Sequence, residues 1–176
     1  MIDVYKDRKR EDPMKIKDLL KCLIIGFILS CIVLTLVRIS VVNGSSMDST
    51  LADGQRLIVS RLSYTFHDVH RGDIVIAESD KLDVDYIIKR VIGLPGETVE
   101  MKNNKIYING HQIDETYIKE PMIGNKNQKW KLGQDEYFLC GDNRNDSLDS
   151  RYIGPVHKNQ IFGKIVFDLK HMKPVN

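Results

Sequence analysis

The stretch DYIIKRVIGLPGETVEMKNNKIYINGHQI, Asp85 to Ile113, decides the fold class. Short apolar runs alternate with polar residues at a period of two, and turn residues punctuate them at Leu94-Pro95-Gly96, Asn103-Asn104 and Asn109-Gly110. That pattern predicts strands over Asp85–Ile92, Glu97–Met101 and Lys105–Ile108, with a meander from Thr98 to Ile113. Outward from it, Arg56–Ser60, Asp73–Ala77, Tyr137–Cys140 and Ile161–Leu169 read as further strands. Arg71-Gly72-Asp73 reads as the turn into one of them. Tyr117–Gln134 is polar, contains Pro121, Gly124 and Gly133, and reads as a loop. No internal repeat is visible, so the expectation is one mainly β domain.

Ahead of this domain the periodicity disappears. Cys22 to Val37 is uncharged and lies between Lys21 and Arg38. Leu19–Val42 is therefore expected to be a transmembrane helix, long enough for a hydrocarbon core of ~30 Å. It divides the chain into a cytoplasmic tail (1–18), an anchor (19–42) and a β domain outside the cytoplasm (43–176). Residues 1–38 carry 8 Lys/Arg against 5 Asp/Glu, whereas the rest carries 18 against 19. The basic excess precedes the span, which predicts a cytoplasmic N-terminus, a single pass and an exported domain. A near-neutral domain has no electrostatic footprint for nucleic acid. Cys140 is the only cysteine after the apolar run, so the domain has no internal disulfide, and it reads as a buried apolar residue.

Three clusters carry candidate chemistry. Asn43-Gly44-Ser45-Ser46-Met47 is a small-residue loop that lets a substrate backbone approach and frees an N–H for an oxyanion, although alone such a loop is ordinarily just a connection. In Lys89-Arg90 two cations interrupt an apolar strand and point to opposite faces. A lysine on the Ile87/Val91 face would be desolvated and lose its preference for the charged form; the plainer alternative is an edge lysine reaching water. Gly141-Asp142-Asn143-Arg144, running on through Ser147, Asp149 and Arg151, mixes both charge signs with hydroxyls. It reads as a cation site or a hydrogen-bonded turn, and its two arginines argue against calcium. His67, His70, His111, His157 and His171 lie outside these clusters, which argues against a Ser-His-Asp triad or a zinc site.

In order, Ser-Met-x-x-Thr-Leu after an apolar segment, Arg71-Gly72-Asp73-Ile74-Val75, Lys-Arg-Val-Ile-Gly-Leu-Pro-Gly and Gly-Asp-Asn-Arg resemble the bacterial type I signal peptidases. These are serine/lysine enzymes that remove signal peptides from exported proteins, and the short Gram-positive form is the nearer pattern. The resemblance runs from the apolar segment to about Gly163. It implies Ser46 as nucleophile, Lys89 as general base, and Ser147 as the hydroxyl orienting the lysine. It also implies Asp149 and Arg151, with Asp142, as structural support. Gly44 stands where relatives can carry a second oxyanion donor, and Ser49 stands where the family usually has Pro. Val42, Met47, Leu51 and Ile87 are expected to form shallow substrate pockets. The resemblance further implies secretory preproteins as substrates, a membrane lipid environment, action as a monomer, and no metal or cofactor. Two rivals remain. A self-cleaving repressor would need a DNA-binding domain, and a non-catalytic assembly or chaperone protein of a secretion or pilus system would be expected to lose Ser46 or Lys89.

Overall fold

Alternation in the sequence becomes a curled antiparallel sheet in the computed structural model, which describes residues 15–79, 84–124 and 127–175. Of the expected tail, residues 1–14 lie outside the described residues. The chain forms two units, residues 1–35 and 36–176. The described part of the first is Lys15 followed by helix α1, Ile16–Leu36, up to Thr35. Its Leu23, Ile24, Ile25 and Phe27 are all exposed. Among the described residues no helix is long and apolar enough to cross a membrane.

The expected 19–42 segment is not helical throughout. Val37–Val41 is strand β1, paired antiparallel with β2 (Arg56–Ser60) in the register Val37↔Ser60 to Val41↔Arg56. Its Val-x-Ile-x-Val pattern meets the period-two rule, but it sits in an unbroken apolar run that conceals the change from helix to strand. After β2 come a short helix α2 (Ser63–Phe66), β3 (Ile74–Glu78) and β4 (Tyr86–Gly93). The meander follows as β5 (Thr98–Lys102), β6 (Lys105–Ile108) and β7 (His111–Gln112). The region expected to be a loop contains β8, Gln128–Lys131, which pairs with β5. The last elements are β9 (Glu136–Cys140), α3 (Ser150–Ile153), β10 (Val156–His157), β11 (Ile161–Asp168) and β12 (Lys173–Pro174).

The larger sheet runs β1-β2-β11-β3-β4-β9-β10 with β12 on β11, and the smaller runs β7-β6-β5-β8. Inward residues of the larger sheet, Leu57, Val59, Ile74, Ile76 and Ile165, form one core that also takes in Val42, Met47 and Leu51 from the loop after β1. Burying Met47 and Leu51 stabilises by about 1.5–3 kcal/mol each, so the loop between them is held by two apolar pegs. A second core lies under the smaller sheet and includes Val99, Met101, Ile106, Phe138 and Cys140. Cys140 is fully buried, as expected.

β4 is paired with β3 along Tyr86–Arg90 but with β9 only over Arg90–Gly93. Among the described residues the second edge of Tyr86–Lys89 therefore has no strand beside it. The backbones of Asp85 and Val91 bond to Ser79 and Asp73, and alternation then turns the groups of Tyr86 and Ile88 toward the open side.

Candidate active site

That open edge forms one wall of a cleft of about 1070 Å³; Ser40–Val42 and the loop to Met47 form another, and Asn145–Leu148 closes it. Ser46 and Lys89 meet inside. Lys89 Nζ lies 2.6 Å from Ser46 Oγ, and the lysine is only 4% exposed. Lys89 shares its face of β4 with Ile87 and Val91 and is paired with Val75, all buried. Desolvation by these neighbours lowers its pKa; the negative charge of Asp149 opposes the shift without cancelling it. The alternative of an edge lysine reaching water is excluded for this residue.

Asn143 locks the Ser45-Ser46 loop by donating its N–H to Ser46 O (3.0 Å) and its side-chain amide to Ser45 O (3.1 Å). Ser45 Oγ donates to Asp146. The N–H of Ser46 makes no hydrogen bond among the described residues, which leaves it for a developing oxyanion. Gly44 offers no such donor, because its N–H goes to Asp53 Oδ1 at 2.8 Å. Its φ of +90 and the open space beside it let the chain turn past the cleft without a side chain.

Ser147 lines the cleft, and its hydroxyl donates to Asp149 Oδ2 at 2.7 Å. Gly141 separates Ser147 from Ser46 so closely that a Cβ there would overlap both the Ser147 hydroxyl and the Ser46 carbonyl. Fully buried Asp149 accepts from Arg151 Nε and Nη2, both at 2.8 Å, and from the Gly141 N–H at 2.9 Å. Burial would raise the Asp149 pKa, yet the guanidinium, the Gly141 N–H and the Ser147 hydroxyl together hold it below the usual carboxylate range.

Asp142 pairs with Arg90 in a two-pronged contact at 2.9 and 2.8 Å, and Thr50 Oγ1 donates to the same carboxylate. The two basic residues of Lys89-Arg90 thus divide their work, one facing Ser46 and the other fastening the 141–151 loop to β4. Of the expected pocket residues, Val42, Met47 and Ile87 line the cleft; Leu51 lies in the core and does not line it. None of the five histidines lines the cleft.

Four residues to which the sequence assigns no role also brace the site. Arg144 bonds Gly141 O (2.9 Å) and pairs with Glu115. Tyr117 lies under Arg90, 4.3 Å from ring centroid to guanidinium. Lys119 reaches Asp48 at 2.7 Å. Arg144 stands in a recognisable motif, but Glu115, Tyr117 and Lys119 come from a polar segment with no periodicity to mark them.

A serine hydroxyl beside a desolvated amine, with an unengaged N–H on the same serine's backbone, suits acyl transfer at a peptide carbonyl. Comparison with known proteins agrees. The family described as "Signal peptidase, peptidase S26" matches residues 16–169, and the chain belongs to it. "Signal peptidase I" of Bacillus amyloliquefaciens is 44% identical over 142 residues, covering 72% of this chain and 71% of that protein. "Signal peptidase I S" of Bacillus subtilis (strain 168) is 38% identical over 176 residues, covering 90% and 94%. The crystal structure of a signal peptidase I from Enterococcus faecalis V583 superposes with a TM-score of 0.50 at 31% identity, covering 56% of this chain and 97% of that one.

Proposed function

We propose that the chain removes N-terminal signal peptides from exported preproteins, with Ser46 as nucleophile and Lys89 as general base. The observation that carries this reading is the 2.6 Å contact between Ser46 Oγ and a lysine amine whose charge is disfavoured by burial. Neutral Lys89 accepts the Ser46 proton as the oxygen attacks the scissile carbonyl, and the developing oxyanion takes the Ser46 N–H. Lys89 returns the proton to the leaving amine and then activates the water that releases the acyl group. Ser147, whose hydroxyl is engaged by Asp149, lines the same cleft as Lys89 and is assigned the orienting role on the family pattern. The substrate lies extended along the open edge of Tyr86–Lys89, adding a strand through the backbone groups of Tyr86 and Ile88. Val42, Met47 and Ile87 form shallow pockets that admit small side chains.

The same reading makes the apolar segment a single-pass anchor with the N-terminus cytoplasmic and the β domain outside. It is supported by the exposed apolar surface of α1 and by the basic excess before it. A non-catalytic assembly role is not favoured, because Ser46 and Lys89 are both present and in contact. Cleavage of a secretory precursor in detergent tests the reading: wild type should release the signal peptide and purified Ser46→Ala should not. Undiminished cleavage by Ser46→Ala would remove Ser46 from the mechanism.

A further inference from the structure

The carbonyl of Ser45 and the N–H of Ser46 belong to one peptide unit, and that unit is held from behind. The peptide is trans, so the two groups point in opposite directions. Ser45 O accepts two donors, the Asp48 N–H at 2.9 Å within its own turn and Asn143 Nδ2 at 3.1 Å from across the fold. A carbonyl has two lone pairs, and both are taken. Asn143 is 3% exposed and does not line the catalytic cleft, whereas Ser45 and Ser46 do. The carbonyl therefore turns away from the cleft, and the Ser46 N–H turns toward it. The next peptide is fixed by the same residue, because the Asn143 N–H donates to Ser46 O at 3.0 Å.

Asn143 is itself firmly placed. Arg90 clamps Asp142 before it, its own carbonyl accepts the Asp146 N–H at 3.1 Å, and Asp146 takes the Ser45 hydroxyl. Of its two side-chain amide atoms only the nitrogen can face a carbonyl, which sets the orientation of the group. A donor on the carbonyl of an amide also strengthens the N–H of that amide, since linked hydrogen bonds polarise one another. Gly44 has no hydroxyl and its N–H is taken by Asp53, so it shares none of the oxyanion's charge and the aim of the Ser46 N–H matters more. We infer that Asn143 is a positioning residue for the oxyanion site: through the Ser45 carbonyl it aims and polarises the Ser46 N–H. This inference rests on the proposed Ser46 and Lys89 chemistry.

The test compares Asn143→Ala and Asn143→Asp with wild type, using the full chain in detergent. Both variants keep the backbone N–H on Ser46 O, so the loop stays tied. Removing a whole oxyanion donor costs about 10²–10³ in kcat. Asn143→Ala leaves the donor present but held only through Asp48, and should lower kcat roughly tenfold with KM within about twofold. Asn143→Asp preserves size but sets an acceptor against the Ser45 carbonyl, so it should be slower than Asn143→Ala. A space-filling role predicts the reverse order. Each protein is also titrated with a substrate-derived peptide boronate and with the same peptide ending in a carboxamide. The boron accepts Ser46 Oγ to form a tetrahedral adduct while the hydroxyl proton passes to Lys89; the carboxamide binds without reacting. In Asn143→Ala, boronate affinity should fall by the same factor as kcat, and carboxamide affinity should stay unchanged. Equal losses on both ligands, no loss on either, or an Asn143→Asp enzyme faster than Asn143→Ala would overturn the inference. Should thermal melting show Asn143→Asp unfolded, the two affinities of Asn143→Ala decide alone. Wild type that forms no boronate adduct, or Ser46→Ala that binds the boronate as tightly as wild type, would instead remove the Ser46 chemistry on which the inference stands.

Discussion

Arginine at position 89 would keep a cation of similar reach, but a guanidinium does not release its proton in the working range. Lys89→Arg should therefore lose essentially all cleavage while remaining folded, as measured by single-turnover assay and thermal melting. Lys89→Met should be equally inactive but at least as stable as wild type at neutral pH. The sign follows from the depressed lysine pKa. Below its unfolded value near 10.4 the unfolded chain binds a proton that the folded chain resists. The native lysine thus costs stability increasingly as pH falls from that value to its folded pKa, and the methionine variant escapes this loss. For the same reason kcat/KM should rise with pH through the folded lysine pKa, and a rate flat from neutral to alkaline pH would contradict the base assignment. At Gly44 the positive φ governs. Gly44→Ser has room for its side chain but should lose about 1–3 kcal/mol from backbone strain, visible in urea unfolding.

Ser49 shows how an element compensates for a residue out of pattern. Its φ of +93 is closed to proline, and its hydroxyl donates to Tyr117 O at 2.8 Å, beside the Asp48–Lys119 pair. The 115–119 segment thereby ties the loop that bears Ser46. Ser49→Gly keeps the backbone and loses only the bond, so kcat should fall severalfold with KM little changed; Ser49→Pro should cost more in both activity and stability. The Asp149 carboxylate ties the other side. Its depressed pKa contributes stability above about pH 4 that is lost as pH falls through the folded value, so Asp149→Asn should flatten the acid limb of a Tm–pH curve. These ties were only partly legible in the sequence. Alternation and turn residues marked β2 and β6 to the residue and placed β3, β4, β5, β9 and β11 within one residue at each end, whereas β1 was read as part of the helix. β8 escaped because Gln-Lys-Trp-Lys has no alternation of apolar and polar residues, and Glu115 because a single acid in a loop acquires meaning only when Arg144 folds against it. Ser46 and Lys89 were singled out through the order of the motifs, and the structure brings them together, whereas Leu51, expected in a substrate pocket, packs into the core.

For the whole molecule, the proposed topology makes one direct prediction. Protease added outside protoplasts should digest the β domain and leave a protected fragment of about 40 residues. Protection of the β domain would contradict an exported active site. The helix-to-strand change at Val37 was hidden because the hydropathy of one element continues into the next, so the end of the segment could not be read from hydropathy alone. Burial also sets the chemical character of the chain as a whole. Among the described residues Lys89 is the only buried lysine. Exposed lysines are protonated at neutral pH and lack a free electron pair. A small aldehyde entering the cleft should therefore condense on Lys89 before any exposed lysine, losing water to form an imine that borohydride fixes as a stable adduct and that mass spectrometry locates on the Lys89 peptide.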